Sequence, residues 1–255
     1  MRLNKVRLFT FAGLAAVGLA SLSYADPILP TGLTPGEQYR IVFVTSDTTT
    51  AYDTNIADYN AFVTAEANLN ADLAALDTTW TAIASTGTYP GGPTLVNAID
   101  NIGVTGAAVY NTDGQLVASN DGTGAGGLWE GDGISNPIEY DENGDSLATS
   151  VWTGTGPDGD AFPYYYAIAL GSGGDSVYGA SADTIDWVDA CGGLSCGAAY
   201  ADNGNIPFSL YAISGDLTYE PTPEPGTVSL MMLGGMFVVG KLRNKRTNAA
   251  RGTCP

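Results

Sequence analysis

Apolar positions fall into three regimes along this chain. Both ends carry a nearly continuous run, Leu8 to Leu22 and Gly226 to Gly240. Between them the pattern is periodic at first and then broken. Tyr39-Arg-Ile-Val-Phe-Val-Thr45 is β-branched and aromatic, follows a Thr-Pro-Gly turn signal, and predicts an early buried strand. Ile56, Tyr59, Phe62, Val63, Leu69, Leu73 and Leu76 recur at spacings close to one helical turn, which predicts an amphipathic helix to about Asp77, capped by Asp53 or a neighbour. Trp80 to Ala84 reads as extended, and 94–102 as a short second helix. Ala107 to Tyr110 and Gln115 to Ala118 flank Asn-Thr-Asp-Gly, a hairpin signal. Val151 to Thr153, Tyr164 to Leu170, Pro207 to Ser214 and Leu217 to Tyr219 are the remaining strand candidates. Gly, Asn and Asp interrupt the chain every few residues between them. Early helices, a loop-rich middle and strands at both ends predict an α+β fold and not a parallel βαβ repeat.

The flanks of the two terminal runs change their meaning. Arg2, Lys5 and Arg7 precede the first, and Ser23-Tyr24-Ala25 closes it with small residues where a signal peptidase cuts. Residues 1–25 therefore read as a secretory signal peptide. Lys241, Arg243, Lys245 and Arg246 follow the second run directly, which predicts a cytoplasmic C-terminus (residues 247–255) and an outward-facing body. Of the nine basic residues only Arg40 lies between residues 26 and 225, whereas all 27 acidic residues do, a formal charge of −26 for that span. Nucleic acid is excluded as a partner, because it needs a basic footprint. Such a charge also serves solubility, and it suits salty water, where self-repulsion is screened.

The chain has no histidine, which removes Ser-His-Asp and Cys-His nucleophilic catalysis and the common His-containing zinc sites. Of its three cysteines, Cys191 and Cys196 bracket a short loop and read as a disulfide in an exported protein, while Cys254 lies beyond the second apolar run.

Pro221-Thr-Pro-Glu-Pro225 stays extended ahead of the second run, because proline has no amide to donate. The order Pro223-Glu224-Pro225, apolar segment, basic cluster resembles the PEP-CTERM sorting signal. That resemblance makes 220–246 a sorting and anchor segment, with an exosortase-type enzyme as partner in bacteria that secrete extracellular polysaccharide. The apolar stretch of 15 residues is shorter than the ~20 that span a bilayer comfortably.

Within 26–219, Ala107-Ala-Val-Tyr-Asn111, Leu128-Trp-Glu-Gly131, Asn136-Pro-Ile138, Asp141-Glu-Asn-Gly144, Val151-Trp-Thr-Gly-Thr155, Ala169-Leu-Gly171 and Trp187 resemble, in order, bacterial secreted proteins with a C-type-lectin-like, endostatin-related fold. The resemblance implies one such domain with early helices, long Gly/Asp-rich loops and short antiparallel strands, followed by a C-terminal hydrophobic helix. It implies a display scaffold for adhesion. The calcium-and-sugar triplets of the lectin branch (Glu-Pro-Asn, Gln-Pro-Asp, Trp-Asn-Asp) are absent, so sugar recognition is not carried over.

Asp141, Asn143 and Asp145 alternate oxygen ligands around a glycine, the pattern a hard cation such as calcium needs, and Asp158 and Asp160 would add carboxylates if the loops converged. The same residue types make turns without any ion. Glu130 with Asp132, or Glu139 with Asp141, are candidate carboxylate pairs for glycoside hydrolysis. Trp129 and Tyr164 to Tyr166 are candidates for a sugar-stacking platform, with core packing as the competing reading; Trp80, Trp152 and Trp187 read as core anchors. The expected function is non-catalytic: a cell-surface or matrix protein, in adhesion or in association with extracellular polysaccharide. The alternatives are a calcium-dependent glycan binder and a carboxylate-based polysaccharide hydrolase.

Overall fold

The computed structural model describes residues 30–87, 95–161, 169–172, 175–190, 201–203 and 205–220. Strand β1 (Gln38–Val44) is buried at every position after Gln38. Side chains alternate across a strand, so its two faces feed two cores. Val42 and Val44 point into one, and Tyr39, Ile41 and Phe43 into the other. This is why the run in the sequence is continuous rather than alternating.

The core that takes Tyr39, Ile41 and Phe43 is roofed by α1 (Ile56–Ala67) and α2 (Ala71–Ala74), which contribute Tyr59, Val63, Ala67 and Leu73. The core that takes Val42 and Val44 is covered largely by loops, through Leu128, Trp129, Ile134, Ile138, Trp187 and Val188. A sheet with a helical layer on one face and a loop layer on the other results. Its order runs β2 (Trp80–Ala82), β8 (Tyr211–Ser214), β1, β3 (Ala108–Asn111), β4 (Leu116–Ala118). β1 and β3 are parallel, and the other neighbours are antiparallel. Between them in sequence lies α3 (Ala98–Ile102). β5 (Ser150–Trp152), β6 (Asp175–Ala180) and β7 (Ala201–Asn203) form a second, antiparallel sheet. The Asn-Thr-Asp-Gly hairpin joins β3 to β4, with Gly114 at φ 79° where a side chain would be strained.

β9 (Leu217–Thr218) also pairs with β1, at Gln38 and Tyr39, so β8 and β9 run along one side of β1 with a break at Gly215–Asp216. Arg40 lies opposite the break. Its guanidinium donates to the carbonyls of Ser214 at 2.7 Å, Ile102 at 2.9 Å and Gly103 at 3.1 Å, and forms a buried ion pair with Asp121 at 2.8 Å. Asp121 in turn accepts from Thr105 and from the Gly106 amide. The only basic residue of the body thus fastens β1 to the end of β8 and to the segment that follows α3.

One helix is shorter than the spacing predicts. α1 stops at Ala67, and Asn70 starts α2 by accepting from the amides of Asp72 and Leu73. A side chain that satisfies two otherwise orphaned amides favours a new start over continuation. Leu69, expected on the apolar face, is 70% exposed in the intervening turn. The cap of α1 is Asn55, whose side chain accepts from the Ala57 amide.

Among the described residues no helix is long and apolar enough to cross a membrane. The signal at 1–25, the sorting motif Pro223 to Pro225, the segment 226–240, the basic cluster Lys241 to Arg246, Tyr164 to Tyr166, Cys191 and Cys196 lie outside the described residues.

Candidate functional site

The loop from Thr45 to Asn55, leaving β1 and entering α1, gathers most of the unexplained polar chemistry. It is tied down at several points. Thr49 and Phe208 exchange backbone hydrogen bonds at 2.8 and 3.0 Å. The Tyr59 hydroxyl donates to the Thr50 carbonyl at 3.3 Å and accepts from the Asp53 amide at 3.1 Å. Burial, reinforced by the charges of Asp53 and Asp58, pushes the Tyr59 phenol well above its ordinary range, so it stays protonated and able to donate. The Gly171 amide donates to the Ala51 carbonyl at 2.8 Å. Gly171 has φ 81°, and a Cβ there would stand 2.2 Å from the Asp53 carbonyl oxygen. Only glycine lets the two backbones approach this closely.

The outer side of this loop forms, with the first turns of α1, a cleft of about 370 Å³. Thr49, Thr50, Tyr52, Asp53, Thr54, Asp58, Tyr59 and Phe62 line it. Asp53 accepts from the Asn55 amide and Asp58 from the Asn55 side chain. A carboxylate has about four acceptor positions, so both keep capacity toward the cleft. Tyr52 is 46% exposed, and Phe62 is half-buried.

The inner side of the same loop meets two buried carboxylates. Glu142 is 1% exposed; it accepts from the Ser46 amide at 3.0 Å, from the Ser46 hydroxyl and from Asn143 Nδ2 at 3.2 Å. Glu66, on α1, is 5% exposed; it accepts from the Asp47 amide, while its Oε2 is buried without a hydrogen-bond partner. Burial first, and then the charges of Asp47 and Glu142, push the Glu66 carboxyl above its ordinary value. No cation relieves it, since Arg40 is the one basic residue of the body and is bound to Asp121.

The structure does not gather the five candidate calcium ligands into one site. Asp141 is buried, and its Oδ1 accepts from the amides of Asn143 at 2.8 Å and Asp145 at 2.9 Å. That is turn chemistry, with Gly144 at φ 80°. Asn143 and Asp145 are exposed. Asp158 and Asp160 sit in a separate turn held to α3 by the Ile99 amide on the Gly159 carbonyl. There, burial and the charges of Asp158 and Asp100 raise the Asp160 carboxyl above its ordinary value. Among the described residues no three Asp, Glu or Cys side chains stand where one metal ion could be shared.

Of the candidate hydrolase residues, Glu130 accepts the Gly126 amide within its own turn. Asp132 is exposed and Glu139 half-buried. Trp129 is not a surface platform: it is buried and packs on Trp187 with ring centroids 5.5 Å apart. Trp80, Trp152 and Trp187 are likewise buried.

Sequence reasoning missed Glu66, Glu142 and the cleft. Glu142 sits between the alternating residues of the Asp-Glu-Asn-Gly-Asp run, so a turn that exposes Asn143 and Asp145 can bury it. One signal was available for Arg40. A lone cation inside a fully apolar strand, in a body this acidic, needs a buried partner. No protein-family model matches the chain, and no curated protein matches it.

Proposed function

We propose that this chain is an exported, surface-sorted protein whose folded body is displayed without catalysis, in association with extracellular matrix. The terminal architecture motivates it: a signal peptide over 1–25 and a PEP-CTERM-like segment over 220–246, for which an exosortase-type enzyme is the processing partner. The observation that carries the reading from the folded body is the pairing of its two ends. β9 pairs with the start of β1, the Gly36 amide donates to the Tyr219 carbonyl, and the Tyr219 amide donates to the Glu37 carbonyl, both at 2.9 Å. The described body thus begins and ends side by side, where the leader and the sorting segment attach in sequence. Cleavage after Ala25 and near Pro225 falls outside every strand and core residue described above, so both processing steps leave the body folded. Paired ends, an early helical layer and loop-rich coverage of one sheet face also support the C-type-lectin-like reading of the body.

Mass spectrometry of the protein recovered from an exosortase-bearing host tests this. The expected product lacks residues 1–25 and ends near Pro225, and the new C-terminus disappears when the exosortase is deleted. A full-length chain retained in the cytosol refutes the proposal.

A further inference from the structure

We propose that the cleft between the Thr49–Thr54 loop and the first turns of α1 binds a segment of an uncharged polysaccharide. Three features of the cleft lead there. The first is its pre-organisation. The Tyr59 hydroxyl, the Thr49–Phe208 pairing and the Gly171 contact each fix the loop that forms one wall. A wall held this way needs little ordering when a ligand arrives, so binding is not opposed by loop entropy. Its volume of about 370 Å³ lies within the small-ligand range of about 300–1,000 Å³.

The second is its chemistry. Asp53 and Asp58 supply carboxylate acceptors, and Thr49, Thr50 and Thr54 supply hydroxyls that donate or accept. No Lys or Arg lines it. Tyr52 and Phe62 add aromatic surface. The matching ligand donates several hydrogen bonds and also offers apolar C–H faces to aromatic rings. A pyranose ring has both on one scaffold, hydroxyls around its edge and C–H groups on its faces.

The third is what the same residues reject. A phosphate or uronate would meet two carboxylates inside a body of formal charge −26. The N-terminus of α1 offers such an anion nothing, because Asn55 caps it and Asp58 occupies its first turn. A purely apolar ligand would strip water from two carboxylates and three hydroxyls without replacing the hydrogen bonds. A polyamine would be attracted to the whole acidic surface and has no reason to prefer this cleft.

The inference deepens the matrix-association reading and rests on it for where a glycan is met. The two fail separately: correct processing with no glycan binding removes the cleft and leaves the sorting assignment intact.

Affinity electrophoresis of the full-length chain in non-ionic detergent decides it, with gels containing hydroxyethyl cellulose, mixed-linkage β-glucan, galactomannan or dextran. Alginate and chitosan gels are the anionic and cationic arms. Retardation is expected in at least one uncharged gel, unchanged by EDTA, with the dissociation constant raised about tenfold by Tyr52→Ala, the loss of a ring anchor. Asp58→Asn, on an exposed helical turn, is the second variant and is expected to weaken binding several-fold while leaving the melting temperature in place. Three results overturn the proposal: no retardation in any uncharged gel, retardation that both variants leave untouched, or retention confined to chitosan and abolished by salt.

Discussion

Replacing Glu66 with glutamine should stabilise the protein at neutral pH and do almost nothing in acid. Glu66 is nearly fully buried, lies near the carboxylates of Asp47 and Glu142, and has one oxygen with neither solvent nor a donor. Its folded-state carboxyl is raised above the ordinary value of 4.5, by burial first and by those two charges second. The sign follows from linkage. A raised acid binds its proton more tightly when folded, so its contribution to stability is fully present below the unfolded value and is lost as pH rises through the folded value. Wild-type protein should therefore lose stability from about pH 4.5 upward through this residue. Glutamine does not titrate, keeps the shape, and can donate from its amide to the neighbouring carboxylates, which an ionised Glu66 cannot.

The magnitude is that of a buried polar group denied its partner, about 1–3 kcal/mol. For a domain of this size each kcal/mol moves the melting temperature by about 2–4 °C, so the variant should melt roughly 2–12 °C higher at pH 8. At pH 4 the two proteins should differ by less than about 0.5 kcal/mol, the range of an inconsequential substitution. Thermal melts of both proteins across pH 4–8, followed by near-ultraviolet circular dichroism, give the difference directly. Carboxylates remote from Glu66 are common to both chains, so their titration cancels and the difference reports Glu66 with the neighbours it is coupled to. Parallel curves over that range, or a variant that melts lower at pH 8, would refute the account of Glu66 as a strained buried acid.

Arg40→Met should cost about 3–5 kcal/mol in urea unfolding, because Asp121 is left as a buried charge without its counter-ion, and Arg40→Met/Asp121→Leu should recover part of that loss. Gly171→Ala forces a Cβ against the Asp53 carbonyl in a left-handed backbone, so it should cost at least about 1–2 kcal/mol in the same assay and weaken polysaccharide retardation in affinity gels by displacing the cleft wall. Asn70→Ala removes the cap of α2 and should cost about 1 kcal/mol by chemical denaturation, with cleft binding unchanged.

Which parts of this molecule were legible in the sequence follows from how local their causes are. β1 was legible because burial on both faces writes an apolar run broken only by Arg40, and the β3–β4 hairpin because its turn residues are adjacent in the chain. The helix from Ile56 was legible as a helix but not in its length. Leu69, Leu73 and Leu76 extend the periodicity, whereas capping at Asn70 opposes it, and spacing alone does not reveal that two satisfied amides outweigh one exposed leucine. The carboxylates were the least legible. Asp141, Asn143 and Asp145 carry the spacing of ligands and are used as a turn, while Glu142, which stands outside that spacing, is the most deeply buried member of the run. Its partner Ser46 lies 96 residues earlier. In a chain with 27 acidic residues, composition gives no means of choosing which ones the fold will bury, because that choice belongs to tertiary convergence. The unique residue is the informative one. Arg40 has no competitor for the role of internal cation, so its position in an apolar strand specifies a buried pair before any coordinates are known. The absence of a second cation explains the rest: with the body's one basic residue held by Asp121, Glu66 and Glu142 have backbone amides, a serine hydroxyl and an asparagine amide as their donors.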